Sequence, residues 1–232
     1  MDIGVIGAGF RFHSGFSDRY GVMCNTYTLK KPHGGMMGIP KPLKPLLEKL
    51  DHTLIRPTVP APVLLEDEAR MMRWGFQRPW AKTINNTRTD KLDSPVWKKA
   101  FETRRCLIPM AGFYEFSGPA GKKQAHLFQA MEGAGDEWLW AAGIWEPNEE
   151  LGECFSMLMR DSAGTVKSIH DRMPVLVPER WHARWLAGED KAEFPGVALK
   201  AENADNPLKH SKRKDGDKHP EPVQPELFGG GG

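Results

Sequence analysis

Cys106-Leu107-Ile108-Pro109-Met110-Ala111-Gly112-Phe113-Tyr114-Glu115-Phe116 opens the part of the chain that decides its fold. Two short apolar runs, 106–109 and 112–117, flank a break of small residues, the pattern of successive strands and not of one helix. Runs of the same kind follow at 124–131, 138–145 and 154–160, with Gly118-Pro119-Ala120-Gly121 as a hairpin turn. Residues 173–177 read as a further strand, and 178–186 as a helix with Trp181 and Trp185 one turn apart. Upstream, 24–29, 62–65 and 71–76 read as strands, and 45–50 as a short helix with proline in its first turn. A helix is expected over 94–105, capped by Ser94, with Val96, Trp97, Ala100 and Phe101 on one face. The class is α+β, with strands in the majority.

The 232 residues carry a net charge of +2 and 27% charged residues, ordinary globular composition that neither demands nor excludes a nucleic-acid partner. Three widely spaced cysteines, Cys24, Cys106 and Cys154, suggest neither a disulfide framework nor a CxxC metal site, which favours a reducing, cytoplasmic compartment. No apolar run approaches the ~20 residues of a membrane span, and the N-terminus lacks the pattern of a signal peptide. Gly4-Val5-Ile6-Gly7-Ala8-Gly9 resembles the start of a dinucleotide-binding fingerprint, but Phe12 stands where the third glycine belongs and no helical stripe follows. A nicotinamide oxidoreductase therefore rests on very little. Residues 1–22 are expected to be a disordered extension or an upstream mis-start. From 201 to 232 the chain turns basic, then proline- and glycine-rich, as in a flexible tail.

Four places carry candidate chemistry. Cys24 follows Met23. As an internal residue it is a small side chain on a strand, the usual fate of a free cysteine. As an N-terminal residue it would carry an α-amine of pKa ~8 beside a thiol of pKa ~8.5. That pair can form a Schiff base with an aldehyde and then close to a thiazolidine. Ile84-Asn85-Asn86-Thr87-Arg88-Thr89-Asp90 is a polar segment between apolar ones: a turn, or an amide to orient an amine and a guanidinium to hold a phosphate. Glu115 lies within an aromatic strand; facing solvent it does nothing, whereas facing inward its pKa rises and it becomes a usable acid or base. His170 sits in a polar loop before a strand, a better position for chemistry than His126 within a strand.

In this order the segments resemble the SOS-response-associated peptidase (SRAP) family, whose members act on abasic sites in DNA. The resemblance runs from about residue 23 to about residue 177. It consists of Met23-Cys24 before a strand, Arg73-Trp74-Gly75 with Trp80 soon after, Asn86-Thr87-Arg88-Thr89-Asp90, Cys106-Leu107-Ile108-Pro109 leading into Gly112-Phe113-Tyr114-Glu115, and His170-Asp171-Arg172-Met173-Pro174. It implies one SRAP-like catalytic domain over 23–200, with a curled, barrel-like, mainly antiparallel β core, flanking helices and a groove for single-stranded DNA. It implies that removal of Met23 and everything before it, through the family's self-processing peptidase activity, exposes Cys24 to form a thiazolidine crosslink with the aldehyde of an abasic site. It further implies that Asn86 positions the amine, that Glu115 transfers protons during ring opening and exchange, and that His170 assists the Schiff base. Arg88 would hold a phosphate beside the lesion, and Trp74 or Trp80 would pack against bases. No metal or diffusible cofactor is implied, and a monomer associated with the nucleoid is expected.

The chain departs from the family pattern in places. Asn25-Thr26 stands where Gly-Arg is usual, removing one backbone-binding arginine, and Asp90 replaces a glutamate with a carboxylate of shorter reach. Met110-Ala111 and Phe116 also differ from the usual residues. In the tail, Gln224-Pro225-Glu226-Leu227-Phe228 is similar to peptides that bind bacterial sliding clamps through their Leu-Phe pair. Two rival functions remain at this stage. One is a cysteine peptidase acting on other proteins through Cys24 and His170. The other is a noncatalytic DNA-binding module in which Cys24 is core.

Overall fold

The computed structural model describes residues 24–30, 36–119, 121–132 and 138–208. In chain order the strands are β1 (Tyr27–Thr28), β2 (Leu54–Ile55), β3 (Pro60–Leu64), β4 (Ala69–Trp74), β5 (Phe76–Arg78), β6 (Ala81–Ile84), β7 (Asn86–Arg88), β8 (Arg105–Met110), β9 (Gly112–Ser117), β10 (Gln124–Ala130), β11 (Leu139–Asn148), β12 (Gly152–Asp161), β13 (Arg172–Pro174) and β14 (Leu199–Ala204). The α-helices are α1 (Lys44–Glu48), α2 (Lys98–Thr103) and α3 (His182–Leu186).

Pairing of β11 with β8, β8 with β3, β3 with β4, β4 with β12, and β12 back to β11 closes a five-stranded barrel. All of these contacts are antiparallel except β4 with β12. A second sheet runs β14-β10-β9-β1-β2. The mixed α+β class with a mainly antiparallel, barrel-like core is therefore what the chain forms. The interior is aromatic: Trp74 stacks on Phe155 with ring centroids 6.3 Å apart, and Tyr27 meets Trp74 edge-on at 5.1 Å. Gly75 lets the chain leave the barrel between β4 and β5. Its φ is +119°, and a Cβ there would lie 2.6 Å from Thr83 Cγ2, so only glycine fits.

Strand β12 organises the site. Its N-terminal half lies between β11 and β4, and its C-terminal half between β7 and β13. Met159 is paired with Arg88 on one side and Pro174 on the other. Segments 86–90 and 170–174, far apart in sequence, thus become neighbours. In the second sheet, β1 pairs with β9 in the register Tyr27 to Phe113, and Thr26 accepts a hydrogen bond from Tyr114 N–H at 2.9 Å. Continuing that register sets Asn25 opposite Glu115, with Cys24, at the start of the described chain, one residue further on.

Three expectations need correction. The helix expected over 94–105 is only Lys98–Thr103: the Ser94 carbonyl, not its side chain, accepts from Trp97 and Lys98, and Arg105 already belongs to β8. The helix expected over 178–186 divides into a 3-10 turn, Glu179–Trp181, and α3. The folded chain also runs past residue 200, because β14 pairs along its whole length with β10. The Gly4–Gly9 motif, Met23, the basic run beginning at Lys209 and the Gln224, Leu227 and Phe228 peptide lie outside the described residues. Among the described residues, no helix is long and apolar enough to cross a membrane.

Candidate active site around Cys24

Alternation along β9 determines which way Glu115 points. Phe113, Glu115 and Ser117 share one face, and Phe113 is fully buried, stacked on Phe128 with centroids 5.1 Å apart. Glu115 therefore faces inward and is 1% exposed. The backbone of Cys24 is its near neighbour and favours the ionised form of its carboxyl group. Burial pushes the Glu115 pKa up to about 8, against the smaller opposing effects of the Cys24 backbone and of Lys123. A carboxyl group so placed is largely an acid at neutral pH.

The carbonyl of Cys24 is held from the other side. Asn86 donates Nδ2–H to it at 2.8 Å, and Asn85 Nδ2 lies 3.5 Å from it and 3.0 Å from Asn25 Oδ1. Asn86 sits at the start of β7, and its side chain is 8% exposed. The Cys24 carbonyl is thus gripped by amide side chains, with the Glu115 acid next to the same backbone. The thiol sits differently. It is buried, 3.8 Å from the Thr26 carbonyl. Burial, and then the negative charge of Glu115, raise its pKa well above the usual cysteine range.

His170 completes the group. Arg172 donates its backbone N–H to His170 Nδ1 at 3.1 Å. Nδ1 lies equally 3.1 Å from the Arg172 carbonyl oxygen, which can only accept, so both Arg172 backbone groups hold this side of the ring and its Nδ1 contacts fit either neutral tautomer. Nε2 faces Glu115 Oε2 at 4.0 Å. That is too long for a hydrogen bond, but both groups belong to the same small site.

Arg88 extends from the opposite end of β7. Its guanidinium bonds both Asp90 oxygens, at 2.8 and 2.6 Å, so the shorter carboxylate still reaches in bidentate fashion. The arginine holds the Asp90 carboxyl below its ordinary range. Arg172 has a similar partner, Asp161, at 2.8 Å, and lies in register with it across β12 and β13. Sequence reasoning assigned no role to Asn85 or Arg172. The doubled Asn and the Arg two positions after His170 were the available signals.

The two tryptophans have different places. Trp74 is 0% exposed, and its Nε1–H donates to the Asn85 carbonyl at 2.8 Å. A ring with no exposed face cannot stack on a base, so the expectation for Trp74 is corrected to a core role. Trp80 is 68% exposed, in the turn between β5 and β6. The Asn-rich segment follows directly after β6, so the β5–β6 hairpin leads straight into the site.

Fold and site together define a class: a closed β-barrel supporting a buried cysteine whose carbonyl is held by an amide and whose backbone neighbours a buried acid. The chain belongs to the SOS response associated peptidase (SRAP) family, whose model matches residues 23–210. Among curated proteins it is similar to "Abasic site processing protein YoqW" of Bacillus subtilis, 30% identical over 131 residues, covering 50% of this chain and 55% of that one. It is also similar to "Abasic site processing protein HMCES" of Xenopus tropicalis, 27% identical over 155 residues, covering 53% and 45%. The chain thus spans about half the length of the curated relatives it matches. Among solved structures, a protein from Bacteroides thetaiotaomicron shares the fold with a TM-score of 0.63 at 18% identity, covering 81% of this chain and 95% of that one. A phage-related protein from Bordetella bronchiseptica has a TM-score of 0.54 at 22% identity, covering 67% and 82%.

Proposed function

We propose that this is an abasic-site-processing protein that crosslinks to abasic sites in single-stranded DNA once Cys24 is its first residue. One observation carries the reading. Asn86 holds the carbonyl of Cys24 and the buried acid Glu115 neighbours the same backbone, next to the nitrogen that is to become a reacting amine. In the chain of 232 residues that nitrogen is an amide and is inert. Self-processing that removes Met23 and what precedes it would free the amine.

The reaction then follows from the groups present. Glu115, held in its acid form by burial, gives its proton to the ring oxygen of the sugar and takes back the proton of the anomeric hydroxyl, so the ring opens to the aldehyde with Glu115 unchanged. The Cys24 amine adds to the aldehyde carbon and water leaves, giving a Schiff base. The thiol adds to the same carbon, its proton passing to the nitrogen, and the thiazolidine closes. His170 Nε2, facing Glu115, provides a second proton carrier for dehydration and for the reverse step. Asn86 fixes the carbonyl and hence the direction of the amine. Arg88 meets a phosphate flanking the lesion, and Trp80 offers a face to a neighbouring base, a contact that tolerates any sequence.

The rival cysteine peptidase is less well supported. A peptidase of that kind needs a thiolate, yet burial and Glu115 both oppose ionisation of Cys24, and His170 faces Glu115. Incubating the processed protein with abasic single-stranded DNA should give an adduct that survives heat and detergent, and Cys24→Ala should give none. Full adduct yield from the alanine variant would refute the proposal. Blocking the α-amine separates the rivals, since a crosslinker loses all activity and a thiolate peptidase keeps it. Reversible binding with no covalent species would favour the noncatalytic module.

Arg88→Ala should weaken binding to undamaged single strands about equally for all sequences and lower the salt slope of binding by about 1. The check is a titration at several salt concentrations. An unchanged slope would remove Arg88 from the phosphate contacts.

A further inference from the structure

Asn25 stands next to Cys24, at a position where the family pattern has glycine. Glycine has no side chain to bind with, and here the side chain is engaged. Asn85 Nδ2 donates to Asn25 Oδ1 at 3.0 Å, and the same nitrogen lies 3.5 Å from the Cys24 carbonyl, whose nearer donor is Asn86 at 2.8 Å. The amides fix one another's orientation. Turning Asn85 over would set its oxygen against two other oxygens, and turning Asn25 over would set N–H groups against N–H groups.

Asn85 is itself anchored. It lies between β6 and β7, and its carbonyl accepts the Nε1–H of Trp74, a fully buried residue of the barrel, at 2.8 Å. The half-buried Asn25 side chain therefore ties the residue after Cys24 to the barrel wall. One residue further on, the Thr26 carbonyl is tied to β9 by the Tyr114 N–H at 2.9 Å.

Backbone geometry says what this achieves. The peptide unit joining Cys24 to Asn25 is planar and includes the Cys24 Cα, carbonyl carbon and oxygen. Asn86 pins its oxygen, and Asn85 pins its far end through the Asn25 side chain. With that plane fixed, a freed Cys24 nitrogen keeps one large motion, a swing about the Cα–C bond. The thiol keeps one as well, about Cα–Cβ. Without the Asn25 contact the plane can pivot on its oxygen, and both nucleophiles move with it. We propose that Asn85 and Asn25 form a clasp of positioning residues, particular to this chain, that sets the angle from which Cys24 attacks the aldehyde. The inference rests on the functional reading above, since it concerns Cys24 as a first residue. The clasp moves no proton and requires no bond to DNA. It acts by orientation, for which small displacements carry large rate effects.

The test uses the full processed chain beginning at Cys24, verified by intact mass, with abasic single-stranded DNA. Single-turnover adduct formation is followed against DNA concentration, which separates the saturating rate from the half-saturating concentration. Asn85→Ala and Asn25→Leu should each lower the saturating rate roughly 10–100-fold, with the half-saturating concentration within about twofold of wild type. The double variant should be no slower than the slower single one, because one contact is removed twice. Asn25→Asp keeps the acceptor and should recover most of the rate lost in Asn25→Leu. Asn85→Asp lacks the donor and should recover none. Melting curves accompany each rate. If the Asn85 variants fail to fold, the comparison of Asn25→Leu with Asn25→Asp decides alone. Wild-type saturating rates in the single variants, or an Asn25→Asp rate no better than that of Asn25→Leu, would overturn the clasp and leave the functional reading intact. Absence of any adduct from the processed wild type would overturn that reading, and the clasp with it.

Discussion

Glu115→Gln is expected to slow crosslinking to abasic single-stranded DNA by ~10²–10⁴-fold, the usual worth of a positioned general acid. That corresponds to about 3–5 kcal/mol of barrier. The substitution is nearly isosteric. The Gln carbonyl keeps an acceptor beside the Cys24 backbone, so the domain should fold and bind undamaged DNA as before. Stability should change in a defined direction while Met23 is retained. Burial raises the folded-state pKa of Glu115 to about 8, above the ordinary glutamate range. A carboxyl group raised in this way contributes its stability fully below the unfolded pKa and loses it as pH rises through the folded one. The uncut wild type should therefore weaken between roughly pH 4.5 and 8, by an amount on the order of a few kcal/mol, while the Gln variant stays flat. Single-turnover adduct formation and denaturant unfolding at several pH values measure the two effects separately. An unchanged adduct rate would remove Glu115 from the proton transfers, whatever the stability data give.

The same residue marks how far the sequence could be read. Alternation with period two in Gly112-Phe113-Tyr114-Glu115-Phe116 leaves two choices, and once Phe113 is placed inward Glu115 must follow it. Strands bounded by turn residues were legible for the same reason: β8 to β12 fall within a few residues of their expected places. What failed was non-local. The strand β14, Leu199-Lys200-Ala201-Glu202-Asn203-Ala204, is polar and has no pattern of its own. It is a strand because β10 offers an open edge along its whole length. Ser94-Pro95 read as a helix start, yet tertiary packing begins the helix at Lys98. The convergence of Cys24, Asn86, Glu115 and His170 could be suspected only from family resemblance. Two of the contacts that create it, β12 with β7 and β1 with β9, join segments more than fifty residues apart, and β12 with β13 then closes the group. Burial also separates tryptophans that look equivalent in the sequence. Met72 and Trp74 share the inward face of β4, whereas Trp80 stands in a turn.

That distinction leads to the second large effect. Trp74→Ala should destabilise the domain by ~3–5 kcal/mol, as removal of a large buried aromatic does. In a chain of this size that is a fall in melting temperature of roughly 6–20 °C. The ring fills the space between Tyr27 and Phe155, so its loss leaves a cavity in the barrel wall next to both sheets. It also has a specific consequence for the site. Trp74 Nε1–H is bonded to the Asn85 carbonyl, the residue just before Asn86, which holds Cys24. Trp74→Phe isolates this second role, because it keeps most of the packing and removes only the donor. The stranded Asn85 carbonyl should cost about 1–3 kcal/mol and loosen the Asn86 contact. Melting curves and adduct rates, taken at a temperature where both variants remain folded, test the assignment. Affinity of folded Trp74→Phe for undamaged single strands should equal that of wild type, since the ring reaches no solvent. A large loss of DNA affinity at unchanged stability would return Trp74 to the DNA surface, and the same loss is expected instead from Trp80→Ala, where the ring is exposed and the fold gains nothing from it.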